Sequence, residues 1–275
     1  MWLTTPDPAK VGLKKPAIKR GRFSLRYAFR GAQRPTISGG EFLGPYAFYG
    51  ARQPLVSGGE FKGDLCLYAA EQARIQGGRF SGKSALFGAQ QPRVTGGEFL
   101  GPWALCESRD ARIEGGEFSG PEALKESQGA RVLDCRAGGE GFGSQSQRML
   151  IGGGRFTGPG LLQASSQAVV AGGSVEGPRA LEGAQQVRVL LAGEIAELAL
   201  PASGIVAARR IGRILPGEAP PQRLAIIAEE VGQGAELAHL VPAGSLPAPP
   251  DDLDRLPGLL QELEELAGEV AGWRA

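Results

Sequence analysis

The sequence predicts an all-β protein: a single-stranded, right-handed parallel β-helix of about nine coils, followed by a C-terminal amphipathic α-helix. Three observations carry this prediction: a 19-residue repeat, apolar residues at fixed positions in each repeat, and glycines at two fixed corners. The chain has 275 residues, including 44 glycines, and 42% of it is hydrophobic. Such a chain can bury a large core without disulfides or metal ions.

The repeat is plainest from Gly39 onward. Nineteen residues with two glycine corners are too few for the two helices of a helical repeat, but they can form three short strands. A leucine-rich repeat would need the signature L-x-x-L-x-L-x-x-N, which is absent. The clearest coils read GGEFLGPYAFYGARQPLVS, GGEFKGDLCLYAAEQARIQ, GGRFSGKSALFGAQQPRVT, GGEFLGPWALCESRDARIE and GGEFSGPEALKESQGARVL.

Equivalent residues of successive coils stack about 4.8 Å apart in a β-helix, so repeated apolar residues form ladders. We predict two inward-facing ladders. Right-handedness is expected because crossovers between parallel strands almost always have that hand. The first ladder comprises Phe23, Phe42, Phe61, Phe80, Phe99, Phe118 and Phe156, and the second comprises Phe29, Phe48, Leu67, Leu86, Leu105, Leu124, Leu162 and Leu181.

Two segments, GPEALKESQGARVLDC at residues 120–135 and ALPASGIVAARRIGRILPGE at residues 199–218, resemble a bacterial repeat family. That family is catalogued as domain of unknown function 3737. Its coils are similar to F-x-G-x-x-A-L-x-x-S-x-N-I-x-I-x-N-C, and its closing segment to P-x-S-G-x-I-x-A-x-x-I-G-x-I. The resemblance covers residues 21–217 and implies a β-helix-like fold with no assigned activity. This chain departs from the family by carrying Gly-Gly where the family often has Asn and Cys.

The ends of the chain differ from the repeat in composition. We predict a basic N-terminal arm at residues 1–20, the β-helix at 21–217, a cap at 218–241, a proline-rich linker at 242–250 and an amphipathic helix at 251–275. The apolar stripe of that helix must dock, either on its own solenoid or, as we favour, in a homodimer. The stripe comprises Leu253, Leu256, Leu260, Leu263, Leu266, Val270 and Trp273.

Charge and cysteine usage exclude several classes of protein. Lys plus Arg total 30 against 29 for Asp plus Glu, so no overall field favours nucleic acid. Cys66, Cys106 and Cys135 lack C-x-x-C spacing and His239 is the single histidine, so no metal site, cofactor or disulfide framework is predicted. No segment resembles a signal peptide or a membrane span, which predicts a cytoplasmic protein.

Two charged columns are candidate sites. The first could serve a cation or glycoside hydrolysis, although a solvated column partly neutralised by Arg79 is favoured. The second could bind an acidic polysaccharide or phosphate, or could instead pair with Glu71, Asp110 and Glu114. The first column comprises Glu41, Glu60, Arg79, Glu98, Glu117 and Arg155, and the second comprises Arg74, Arg93, Arg112 and Arg131, with Arg188 further on.

Aromatic residues outside the ladders form another candidate surface. They suit sugar stacking or a protein partner, or else they pack under the C-terminal helix, and both alternatives stay open. The coil at residues 134–152 breaks the pattern and is predicted to be a bulged loop, where function often lies. The aromatic candidates are Tyr27, Tyr46, Tyr49, Tyr68, Phe87 and Trp103, and those of the irregular coil are Asp134, Cys135, Glu140 and Arg148.

Catalytic motifs are sparse. With one histidine, no G-x-S-x-G elbow and no clustered aspartates, the sequence assigns no catalytic residue. We therefore predict a structural or protein-interaction scaffold. The alternative is a carbohydrate-active protein that binds or cleaves an acidic glycan along the arginine and aromatic columns.

Overall fold

A computed structural model describes residues 12–218, 221–237 and 240–242. Over these residues the chain is an all-β parallel solenoid with coils of about 19 residues and about 11 turns, more than the nine predicted. The part that the structure describes contains no α-helix and one short 3-10 turn, Ala235–Leu237. The predicted C-terminal helix and proline-rich linker, and most of the N-terminal arm, lie outside the described residues. The right-handed sense stays a prediction.

The chain divides into two compact units, Met1–Gly139 and Glu140–Ala275, called unit one and unit two below. In unit one each coil supplies two strands of two or three residues. Each strand pairs in parallel with its equivalent 19 residues later, as in Glu98↔Glu117. The strands are β1 (Ala17–Ile18), β2 (Arg22–Phe23), β3 (Thr36–Ile37), β4 (Glu41–Phe42), β5 (Leu55–Val56), β6 (Glu60–Phe61), β7 (Arg74–Ile75), β8 (Arg79–Phe80), β9 (Arg93–Thr95), β10 (Glu98–Phe99), β11 (Arg112–Glu114), β12 (Glu117–Phe118), β13 (Arg131–Leu133) and β14 (Arg136–Ala137).

The third side of each coil is not a strand, which corrects the prediction of three strands. Along it, alternate residues have positive φ, for example Trp103 at +61° and Leu105 at +55°. The N–H of Trp103 donates to Pro121 O of the next coil, whereas that of Leu105 donates to Ala85 O of the preceding one. This side therefore pairs with both neighbouring coils through a turn-like backbone.

Both predicted ladders face inward and form the core of unit one. From Phe42 to Phe118 the stacked rings lie 4.6–4.8 Å apart between centroids and are parallel within 8°. Their side chains are buried, as are those of the second ladder from Phe48 to Leu124. In unit two, Phe156, Leu162 and Leu181 are also buried. The hydrophobic effect and ring stacking thus act at the same position of each coil.

From Gly44 onward, a glycine at one corner of each coil of unit one permits close approach of the backbones. A Cβ added at Gly101 would lie 2.0 Å from the carbonyl oxygen of Gly82 in the preceding coil. Gly63, Gly82 and Gly120 are confined in the same way. No other residue fits at this corner without moving the coils apart.

In unit two the short strands give way to long ones. Strands β19 and β20 have 13 residues each and pair in parallel with a register shift between Leu191 and Glu194. Strand β21 pairs with β20 from Ser203↔Arg223 to Arg213↔Gln233, so the segment predicted as a cap continues the sheet. The strands are β15 (Leu150–Gly152), β16 (Arg155–Phe156), β17 (Val169–Ala171), β18 (Ser174–Val175), β19 (Val187–Ala199), β20 (Ser203–Leu215), β21 (Arg223–Gln233) and β22 (Leu240–Pro242).

The coil at residues 134–152 is not a bulged loop, which corrects the prediction. Its strands keep the 19-residue period, because β14 begins at Arg136 and β16 at Arg155. Within unit two, Phe142 and Met149 are buried where other coils carry alanine, and Gly143 stands where they carry leucine. A Cβ on Gly143 would lie 2.9 Å from the Met149 sulfur. In this coil the large side chains thus stand at the alanine positions and a glycine stands at the leucine position, and the coil is otherwise regular.

Candidate functional site

Four exposed arginines stand in register on unit one. Arg74, Arg93, Arg112 and Arg131 begin strands β7, β9, β11 and β13, and each pairs with the next. Successive side chains of a strand point to opposite faces, and the residue that follows each arginine is buried. The four arginines therefore point outward. Neighbouring strands are about 4.8 Å apart, so the four form a straight row, called here the arginine column.

Among the residues that the structure describes, the four guanidinium groups have no partner. None of them forms an ion pair or hydrogen bond with another residue in the described ranges. The predicted pairing with Glu71 is not seen, because Glu71 Oε2 lies 3.4 Å from Nε of Arg52 instead. Asp110 and Glu114 likewise form no ion pair among the residues that the structure describes. The column is thus a row of positive charges that form no ion pair with the described residues.

Arg188 differs from these four arginines because its neighbours on the paired strands are not arginines. It lies in β19 of unit two, between Val169 of β17 and Ile205 of β20. No arginine is therefore beside it in register within that unit.

A ladder of side-chain amides flanks part of the arginine column. Arg34 Nε donates to Gln53 Oε1 and Gln53 Nε2 to Gln72 Oε1, both at 2.9 Å, and Gln72 Nε2 donates to Gln91 Oε1 at 3.4 Å. Gln72 and Gln91 come two residues before Arg74 and Arg93. This ladder was not predicted from the sequence, although the glutamines recur at 19-residue spacing.

The first charged column is partly neutralised. Glu41, Glu60, Arg79, Glu98 and Glu117 are in register on β4 to β12. Arg79 Nε lies 3.5 Å from Glu98, and Lys62 Nζ lies 2.7 Å from Glu41 and 2.8 Å from Glu60. The hydrogen bond from Lys62 lowers the pKa of Glu41. These contacts fit the favoured interpretation of a solvated column with mixed charges. Arg155 of unit two pairs with Glu176 at 2.8 Å.

A shallow groove of about 670 Å³ runs beside this column in unit one. Its floor is the backbone of the Gly-Gly corners, and Asp134 replaces a glycine at one of them with a φ of +48°. Asp tolerates this left-handed conformation better than most residues. The charged side chains along the groove carry both signs, so the groove has no dominant charge. They are Arg79, Glu98, Glu117, Asp134 and Arg136.

Five of the six predicted aromatic residues stack with one another. The Tyr27 and Tyr46 rings lie 4.9 Å apart, and Tyr49, Tyr68 and Phe87 follow at 5.3 and 5.5 Å with nearly parallel planes. Trp103 stands outside this stack, is 39% exposed and donates its indole N–H to Glu122.

Two arginines that the sequence analysis missed lie over these tyrosines. The guanidinium carbon of Arg26 is 5.0 Å from the Tyr27 centroid and 5.3 Å from that of Tyr46. Arg30 is 5.6 Å from Tyr27 and 5.4 Å from Tyr49. These are cation–π distances. Their position on both sides of Tyr27 in the sequence was the available signal.

The four candidates of the irregular coil differ in burial and are divided between the two units. Asp134 is exposed in unit one, and Glu140 and Arg148 are exposed in unit two. The thiol of Cys135 is buried and donates to the Gly115 carbonyl oxygen at 2.9 Å. Burial raises its pKa to about 12, which keeps it protonated and unreactive at neutral pH. Cys66 and Cys106 are buried too, with the same consequence.

Comparison of the chain with family models, with curated proteins and with solved structures finds no match. Over the described part of the chain, no group of three His, Cys, Asp or Glu residues could hold a metal ion. No helix among the residues described is long and apolar enough to cross a membrane.

Proposed function

We propose that the chain is a protein-interaction scaffold that self-associates, with its C-terminal segment at residues 251–275 binding the first coils of a second copy. The solenoid fold fits a structural scaffold. One observation supports this proposal: a partly exposed cluster of arginines and tyrosines in unit one, called here the Arg–Tyr surface. It comprises Leu25, Arg26, Tyr27, Arg30, Tyr46 and Tyr49.

The Arg–Tyr surface has the composition of a protein interface. Leu25 is 41% exposed and Tyr27 is 38% exposed, and they lie on either side of Arg26 in the sequence. Isolated exposed apolar residues are common, but a contiguous group indicates contact with a partner. Tyrosine and arginine are also the residues most enriched at interface hot spots.

Charge complementarity supports this choice of occupant. Residues 12–40 contain eight basic residues and no acidic one, whereas residues 251–275 contain seven acidic residues and two basic ones. The acidic segment also carries the leucine stripe, which needs an apolar surface to cover it. Opposite charges would orient the segment, and the exposed leucine and tyrosines would bury its stripe. The basic residues are Lys14, Lys15, Lys19, Arg20, Arg22, Arg26, Arg30 and Arg34.

The segment is proposed to come from a second copy. It follows a proline-rich linker, which favours reaching outward over capping the adjacent strands. Reciprocal exchange between two copies would give a symmetric dimer with two identical contacts. Membership of domain of unknown function 3737, which rests on the resemblance of residues 21–217, also stays a proposal.

Light scattering of the full chain tests this proposal. The unmutated protein should be a dimer at low salt, and the double variant Arg26→Glu with Arg30→Glu should be a monomer. The double variant Arg112→Glu with Arg131→Glu makes the same change in net charge elsewhere and should remain a dimer. Adding Glu264→Arg and Glu265→Arg to the first variant should restore the dimer.

Two results would overturn the proposal. A monomeric full-length protein would exclude self-association. A dimer that survives both Arg26→Glu with Arg30→Glu and Leu260→Glu with Leu263→Glu would show that copies associate through another surface.

A further inference from the structure

We propose that the arginine column of unit one is a binding site for an acidic polysaccharide, with the uronate carboxylates of the sugar chain lying along Arg74, Arg93, Arg112 and Arg131. This site is separate from the Arg–Tyr surface and does not depend on self-association.

By itself, the arginine column is unfavourable for the folded chain. Like charges directly opposite one another on paired strands repel. The arginines are in register over four coils, and no acidic side chain pairs with them among the described residues. The same coils carry a second charged column in which Lys62 and Arg79 neutralise glutamates. An anionic ligand would form the ion pairs that these arginines do not form with the described residues of the chain.

The geometry of the column selects a linear ligand. The guanidiniums repeat at the strand spacing of about 4.8 Å along one line. A guanidinium binds a carboxylate through two parallel hydrogen bonds, so each arginine can take one carboxylate. An extended chain of uronic acid units has one carboxylate per sugar, and the carboxylates on one of its sides repeat at a small multiple of the sugar length, which is close to this spacing. Gln72 and Gln91 provide amides next to the column that can bond sugar hydroxyls.

The residues around the column disfavour a nucleic acid. Single strands are held by aromatic side chains on which bases stack, beside a basic groove. The positions two residues before and after the arginines carry no aromatic residue. Tyr27, Tyr46 and Tyr49 instead contact Arg26 and Arg30. A sugar acid, which needs charge and hydroxyl partners and no stacking platform, fits these surroundings better.

The column is not uniform in its surroundings. Arg74 and Arg93 have only uncharged neighbours two residues away, Gln72, Gln76, Gln91 and Thr95. Arg112 stands between Asp110 and Glu114, whose carboxylates repel an anion. Binding should therefore be strongest at Arg74 and Arg93, and removal of the Glu114 charge should strengthen it.

Isothermal titration of the full chain with an oligogalacturonate of eight sugars at low salt tests the proposal. The unmutated protein should bind it, and Arg74→Gln with Arg93→Gln should weaken binding roughly tenfold, because two charge pairs are lost. Arg52→Gln with Arg79→Gln removes the same net charge from arginines that are already paired, and should change affinity less than about twofold. Glu114→Gln should tighten binding about twofold or more.

Three results would overturn the proposal. The first is that the unmutated protein does not bind the oligogalacturonate at low salt. The second is an equal loss in the two double variants, which would show a general charge effect. The third is equally tight binding of a single-stranded DNA with the same number of charges, which would identify the wrong class of polymer. If Arg74→Gln with Arg93→Gln fails to fold, as judged by circular dichroism, the direction of the Glu114→Gln effect decides.

Discussion

The phenylalanine ladder and the arginine column lie on the same coils, and both place identical residues in register. Inside, rings from Phe42 to Phe118 stack 4.6–4.8 Å apart and are buried. Outside, the guanidiniums are exposed and unpaired among the residues described. Repetition stabilises the inside, because stacked rings bury apolar surface, but it is unfavourable outside, because like charges repel. Repetition alone therefore does not explain the arginines.

The glutamate-containing column shows what an outer column looks like when its charges are compensated. Arg79 interrupts the glutamates, and Lys62 lies within 2.8 Å of both Glu41 and Glu60. The two outer columns of these coils thus differ. Ion pairs neutralise part of the glutamate-containing column, whereas the arginine column forms none among the described residues. The contrast supports a role for the arginines in binding.

Removing one ring should have the largest effect. Phe99→Ala should lower the free energy of unfolding by about 3–5 kcal/mol, because the ring is buried between two others. Denaturant unfolding measures this, with Arg112→Ala in the same unit as the outer control at under about 0.5 kcal/mol. A loss below about 1 kcal/mol for Phe99→Ala would mean that the ring does not lie in the core.

A methyl group at the narrow corner should have the next largest effect. Gly101→Ala should cost about 1–3 kcal/mol or more, since the new Cβ would lie 2.0 Å from a backbone oxygen that cannot turn aside. Gly88→Ala is the matched control: its Cβ would meet nothing within 4 Å, and only its φ of +65° opposes the change. We expect about 1 kcal/mol there. Equal melting temperatures of the two variants would contradict the close stacking of the corners.

The core was predictable from the sequence because each inward position repeats with one period. Phe80 and Leu86, for example, are buried as their ladders require. The alternation around Val94, with exposed Arg93 and Thr95, follows the two-residue period of a strand. These features depend on apolar pattern alone, which the sequence carries directly.

The structure of the third side and of the irregular coil could not be predicted from the sequence, and the reason is physical. Leucine disfavours positive φ, so the identity of Leu105 does not predict its φ of +55°. Only the stacking between coils holds the residue in this conformation. At residues 134–152 the exchange of size among Phe142, Gly143 and Met149 hides the repeat while keeping the core filled.

The position of the arginine column was predictable from the sequence. Which acidic residues form ion pairs, and with which arginines, was not. The 19-residue period places Arg74, Arg93 and their equivalents in one row. Whether Glu71 reaches Arg74 or Arg52 depends on side-chain direction at a corner, which spacing does not reveal. Arg26 and Arg30 were missed because they occupy positions that no other coil fills with arginine.

The smallest expected effect concerns whether the arginine column is unfavourable in the free protein. The measurement is the free energy of unfolding of Arg74→Gln with Arg93→Gln against salt concentration. We expect the variant to equal or exceed the unmutated protein by a few tenths of a kcal/mol at low salt, and the gap to close near 1 M salt, where the screening length is about 3 Å. Arg79→Gln, which leaves Glu98 without its partner, should instead lose stability at low salt. A double variant that is less stable than the unmutated protein at low salt would show that the arginines support the fold, and would contradict this expectation.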